Sequence, residues 1–139
     1  MTVKEKYSVV ESHRQRISTI EIWDNGIVYI KIDDNGEIDL NDSVKQVNYL
    51  RSKFDGVNKH LVLADVGTYT TISKEAREFS ERPESNEITK ATAVLTNSLA
   101  QRIIVNFIIR IIKKQPMKLR AFEKKEKAIE WLLSFNTKQ

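Results

Sequence analysis

The chain has no cysteine among its 139 residues, which excludes disulfides, thiol nucleophiles and cysteine-ligated metals. Proline and glycine are scarce, two and four residues respectively, and nothing in the sequence reads as a Pro/Gly/Ser linker or a low-complexity run. The glycines (Gly26, Gly36, Gly56 and Gly67) each stand in a turn context, so there is no glycine-rich phosphate loop. The two histidines, His13 and His60, have no acid or nucleophile at a diagnostic spacing, which disfavours a catalytic triad or a histidine metal site. No apolar run approaches the roughly 20 residues of a membrane span. The longest, SLAQRIIVNFIIRIIKKQ at residues 98–115, carries Asn106 and Arg110 inside it. The opening MTVKEKYSVVESHR lacks the apolar segment of a secretory signal, and the expectation is a cytoplasmic protein.

What is present is the balance of a globular domain, with 40% apolar and 30% charged residues. Residues 1–12 read as a lead-in and residues 13–139 as one domain. Residues 16–23 and 27–32 are dense in β-branched side chains and flank DNG at residues 24–26, where Asn and Gly accept the positive φ of a tight hairpin turn. Val44, Val47, Leu50 and Phe54 recur at helical spacing behind Asn41 or Asp42 as cap. HLVLADV (60–66) and ATAVLTN (91–97) are short apolar runs of the kind buried on both faces of a parallel sheet. Ser73 can cap a short helix through Phe79, Pro83 interrupts, and residues 83–90 can add a further helical turn. Pro116 should stop the apolar helix before a last strand at 117–122. A final helix then buries Ala128, Ile129, Leu132 and Leu133. The fold class is α/β, in the order β-β-α-β-α-β-α-β-α: a mostly parallel sheet opened by an antiparallel hairpin.

That order, with KHLVLADVGTYTTISKEAREF and NSLAQRIIVNFIIRIIKKQPMKLRAFEKKEKAIEWL, resembles the STAS-like group of small bacterial proteins. These are related in fold to anti-sigma-factor antagonists and, more distantly, to the CRAL-TRIO lipid-binding fold. The resemblance spans roughly residues 15–135 and implies a fold more than an activity. In the antagonists a serine in an Asp-Ser-Ser-Gly-like loop is phosphorylated by a partner kinase. The matching segment here, Thr70-Thr71-Ile72-Ser73-Lys74, lacks the acid and the glycine, so Ser73 reads as a plain helix cap ahead of a phospho-switch.

Three further features invite a function. Strand ends in open parallel sheets are where ligands bind, and Asp65, Thr68, Thr70, Thr71, Ser73, Asn97 and Ser98 would rim two of them. The competing reading, which is favoured, has these hydroxyls satisfying loop backbone. KIDDNGEIDLND places Asp33, Asn35, Gly36, Ile38, Asp39 and Asp42 near calcium-loop positions, but Lys31 stands where the first carboxylate belongs, so a turn and helix cap are favoured and no metal is expected. Charge is polarised, with a net of −6 over residues 21–42 and +6 over residues 110–127. The basic pole lacks interleaved exposed aromatics, which disfavours nucleic acid and favours a solvated face.

On a helical wheel the apolar helix carries Arg102, Asn106, Arg110 and Lys113 as one polar stripe. Ile104, Phe107, Ile108, Ile111 and Ile112 form the sheet-facing side, and Ile103, Val105 and Ile109 are surplus on its flanks. That surplus can meet neighbouring helices, a symmetric or other protein partner, or a lipid-like ligand. Arg102, Val105, Asn106, Ile109 and Arg110 are therefore the candidate interface. The expected function is a non-enzymatic binding or regulatory module working through a protein partner or a homodimer, with no cofactor. The alternative is a carrier or sensor of a small hydrophobic or anionic ligand.

Overall fold

The turn DNG does what its composition requires. In the computed structural model, which describes residues 7–96, 98–112 and 117–136 apart from the side chains of residues 100, 104, 107, 108, 111 and 112, Gly26 has φ +92°. Its N–H donates to Trp23 O, and Asn25 Oδ1 accepts from Ile27 N–H. The turn joins β2 (Ser18–Trp23) antiparallel to β3 (Ile27–Ile32). From β3 the sheet continues in parallel through β5 (His60–Asp65), β7 (Thr89–Leu95) and β8 (Lys118–Phe122).

The sheet begins earlier than expected. Val9–Arg14 is a strand, β1, antiparallel to β2, and it starts inside the stretch read as a lead-in. Its inward side chains are polar, which hides it from a search for alternating apolar residues. Glu11 accepts from Tyr49 Oη at 2.8 Å and lies 2.8 Å from Lys53 Nζ, while the His13 ring stacks on Tyr49 at 4.2 Å. The strand order is β1-β2-β3-β5-β7-β8. A second sheet of two short parallel strands, β4 (Glu37–Ile38) and β6 (Thr71–Ile72), was also not foreseen. Two residues are too few to show any periodicity.

Among the described residues five helices accompany the two sheets. α1 (Leu40–Ser52) is capped by Asp39, with Asp42 closing a capping box, so the cap stands two residues before Asn41 and three before Asp42. α2 (Lys74–Ser80) and α3 (Pro83–Asn86) follow β6, α4 (Leu99–Ile112) follows β7, and α5 (Lys125–Leu133) follows β8 and runs into a 3-10 turn, Ser134–Asn136. Residues 113–116, including the proline expected to end α4, lie outside the described residues, as do the side chains assigned to its sheet-facing side.

Alternation along each strand sends residues to two cores. On one face Trp23, Ile27, Leu61, Leu63, Ala91, Ala93 and Leu95 meet Ala128, Ile129 and Leu132 of α5. On the other Ile17, Ile20, Val28, Ile30, Ile32 and Val62 meet Leu50 of α1 and Ile88. Ile20, Ile27 and Leu63 are fully buried, and each such side chain contributes about 1.5–3 kcal/mol. The stripe expected on α5 is in place, with Leu133 half-buried beside three buried neighbours. Among the described residues no helix is long and apolar enough to cross a membrane.

Candidate interaction site at the carboxyl end of the sheet

The carboxyl ends of β3 and β5 are tied together by the small sheet. Backbone N–H groups of Thr71 and Ser73 donate to Gly36 O and Ile38 O, and Asn35 N–H donates to Thr68 O, all at 2.9 Å. Thr68 N–H donates to Asp34 Oδ1 at 2.8 Å, and the buried Thr70 hydroxyl donates to Asp33 O at 2.6 Å. The Thr68 backbone and the Thr70 hydroxyl thus serve the loop itself. Ser73 caps α2, accepting from Ala76 N–H at 3.1 Å, and Ser98 accepts from Gln101 N–H in the first turn of α4. Thr71 is exposed in β6. Asn97 lies outside the described residues. Ser73→Ala removes one cap bond and should cost about 1 kcal/mol; a thermal scan that shows no loss would contradict the cap.

Asp65 does not join this group. It lies in register beside Lys31, on the face that carries Leu61 and Leu63. There it accepts from Tyr29 Oη at 2.6 Å and lies 3.9 Å from Lys31 Nζ. Burial first, then the bond to Asp65, pushes the Tyr29 hydroxyl above its ordinary pKa.

Two residues that position the loop were missed in the sequence. Gln101, buried on the inner face of α4, donates through Nε2 to Val66 O at 2.6 Å and to Gly67 O at 2.5 Å. Gly67 is packed against the Asp33 carbonyl and Thr70 Oγ1. The available signal was an amide one helical turn before Val105, off the polar stripe of Arg102, Asn106 and Arg110.

Beneath the loop lies a cavity of about 80 Å³ lined by Ile32, Ile38, Val66, Ile72 and Val105, with Thr70, Thr71 and Gln101. Val105 is therefore buried, at 5% exposure, which corrects its placement on a surplus flank. The helical wheel counted only the main sheet as cover, whereas the small sheet and its loop enclose this side of α4 as well. Of the other α4 candidates, Asn106 and Arg110 are exposed, Ile109 is half-buried, and Arg102 pairs with Glu123.

Of the three side chains expected as surplus, Ile103 is the one left well exposed, and Leu99 and Tyr69 join it. Ile103 is 63% exposed, Leu99 69% and Tyr69 78%. Tyr69 has φ +60°, a left-handed conformation uncommon for a bulky residue and found where the surroundings fix it. Here the hydrogen bonds of Thr68 and Thr70 hold both neighbours, so the ring is presented outward. Leu40, at the start of α1 just beyond β4, adds a fourth exposed apolar side chain at this end.

Part of the acidic pole is paired within the chain. Arg14 donates twice to Asp33, at 3.0 and 2.5 Å, and Arg16 twice to Asp42, at 2.9 and 2.5 Å. The Arg14 and Arg16 guanidiniums hold these carboxyls below their ordinary pKa. Two acids of the calcium-like loop are thus committed to arginines, and no group of three or more acids or histidines among the described residues is placed to hold a metal. His60 bonds Leu50 O through Nε2 at 2.8 Å.

No curated protein matches the chain. Among solved structures it is similar to an uncharacterised protein of the DUF3478 family with a SpoIIAA-like fold from Shewanella loihica PV-4. The TM-score is 0.57 at 16% identity, covering 91% of this chain and 93% of that one. The fold is therefore STAS-like, as the element order implied. A family model described as a domain of unknown function, DUF7793, matches residues 20–136, and the chain belongs to that family.

Proposed function

We propose that the protein is a non-catalytic regulatory module that binds a protein partner, a second copy included, through exposed apolar side chains at this end of the molecule, Tyr69 on its loop and Leu99 and Ile103 on α4. A cytoplasmic location belongs to the same proposal. The observation that carries it is Tyr69, a large aromatic side chain 78% exposed on a left-handed backbone. Holding a bulky residue there costs roughly 1–3 kcal/mol and buries nothing within the chain. Exposed aromatic and aliphatic side chains grouped on one end are also what partner-binding surfaces use. The carrier reading has less support, because the cavity below the loop is about 80 Å³ whereas ligand pockets span roughly 300–1,000 Å³, and the larger groove between β8 and α5 is open to solvent and does not enclose a ligand.

Light scattering and site-specific crosslinking test the proposal. Wild type should be dimeric and Ile103→Glu monomeric with an unchanged circular dichroism spectrum. A monomeric wild type moves the test to a photo-crosslinking residue in place of Tyr69, in extract of the native host. One crosslinked partner, lost on Ile103→Glu, sustains the binding module. Monomeric protein with no specific crosslink overturns it.

A further inference from the structure

The two edges of the main sheet are built differently. β1 carries a register shift between Val9 and Glu11, the kind of bulge that discourages further pairing. β8, at the other edge, pairs with β7 without interruption over five residues. The Phe122 carbonyl accepts from Thr96 N–H and so faces β7. By the two-residue alternation of a strand, the N–H and C=O groups of Leu119 and Ala121 face outward. Beside this edge an open groove of about 640 Å³ runs between β8 and α5, with Phe122 and Trp131 as its apolar surface and Arg120 and Lys124 on its walls. The Arg120 guanidinium lies 4.9 Å over the Phe122 ring. The two acids of the groove are engaged, Glu123 by Arg102 and Glu130 by Lys127. Among the described residues no acid pairs with Arg120 or Lys124. The basic pole, read from sequence as lacking interleaved exposed aromatics, has the half-buried Phe122 and Trp131 folded against it.

We propose that β8 is a docking edge for an acidic, extended peptide from another protein, which adds to the sheet as a further strand and seats an apolar side chain against Phe122 and Trp131. Main-chain hydrogen bonds to Leu119 and Ala121 supply the pairing, and Lys118, Arg120 and Lys124 select acidic side chains on the incoming strand. Charge excludes a second copy of β8, which would set Lys118 and Arg120 opposite like charges. A nucleic-acid strand has no peptide N–H and C=O groups to continue the ladder that Leu119 and Ala121 leave open, which favours the peptide.

Short synthetic peptides in which glutamate alternates with Val, Leu, Ile or Phe provide the probe, read by amide chemical shifts of the full chain. Glutamate peptides should bind with shifts concentrated at residues 118–122, and their lysine counterparts should not. N-methylation of alternate peptide amides should weaken binding at least about tenfold, the loss of one or two main-chain hydrogen bonds. Arg120→Glu should weaken the glutamate peptides by a similar factor and admit the lysine series. Ala121→Pro removes an outward donor that the fold does not use, as an edge strand tolerates, and should abolish binding. If that variant fails to fold, the N-methylated peptides make the same test on wild type. Binding indifferent to N-methylation, tighter binding of oligothymidylate, or no binding by any glutamate peptide overturns the proposal.

Discussion

Gly67→Ala should lower the melting temperature by roughly 10 °C, for a loss of about 3 kcal/mol. The cause is space and not backbone freedom. Gly26 and Gly56 need glycine for their φ of +92° and +89°, yet a Cβ on either would meet nothing within 4 Å. Gly67 is the reverse case: a Cβ there would come to 2.6 Å of the Asp33 carbonyl carbon and of Thr70 Oγ1, and closer still to the Asp33 oxygen. The neighbours cannot give way cheaply. Two are main-chain atoms, and the Thr70 hydroxyl is itself bonded to Asp33 O. The loop must lift, which breaks the bonds of Gln101 and of Thr68 and adds about 1 kcal/mol for each one left unmade. The same variant should lose partner binding at Tyr69, whose pose depends on that loop. Differential scanning calorimetry decides the point, and a melting temperature within roughly 2 °C of wild type would mean that the loop is not packed this way.

Gln101→Leu should cost about 2 kcal/mol while keeping the volume of the side chain. It leaves Val66 O and Gly67 O without the donor that now reaches both at 2.6 and 2.5 Å. Gln101→Glu is the sharper form of the test. Near neutral pH its carboxylate would face two carbonyl oxygens from a buried position, so burial and repulsion raise its folded pKa above the unfolded value of about 4.3. The deprotonated form is the disfavoured one. Stability should therefore be lost as pH rises through the raised pKa and regained as pH falls below it, when a protonated Glu again donates to one carbonyl. Urea midpoints of the two variants across that range check the sign. A Glu variant that follows the wild-type profile would remove the Gln101 anchor from the account.

How much of this was legible in the sequence depends on how far each feature reaches. The buried strands HLVLADV and ATAVLTN, the DNG hairpin and the Ser73 cap are local, because each is set by residues next to one another. β1 was not legible, since Glu11 and His13 point inward and are satisfied by Tyr49 and Lys53 from a helix some 40 residues on. Val105 was misplaced because one helix and one sheet do not reveal that β4 and β6 close over the same side. Gly67 and Gln101 act across about 35 residues on backbone atoms, which leave no trace in side-chain pattern. The packing of Trp131 beside the basic pole was hidden similarly. Phe122 and Trp131 belong to consecutive elements and meet the basic side chains only once α5 folds back along β8.

The two tryptophans divide the molecule optically. Trp23 is 2% exposed in the core, stacked on Tyr7 and Tyr29 with Lys125 Nζ 5.5 Å above its ring. Trp131 lies half-buried on the wall of the β8 groove. With Trp23 replaced by Phe, the remaining tryptophan emission comes from the groove alone, so the chain carries its own fluorophore at the edge where an incoming strand would settle.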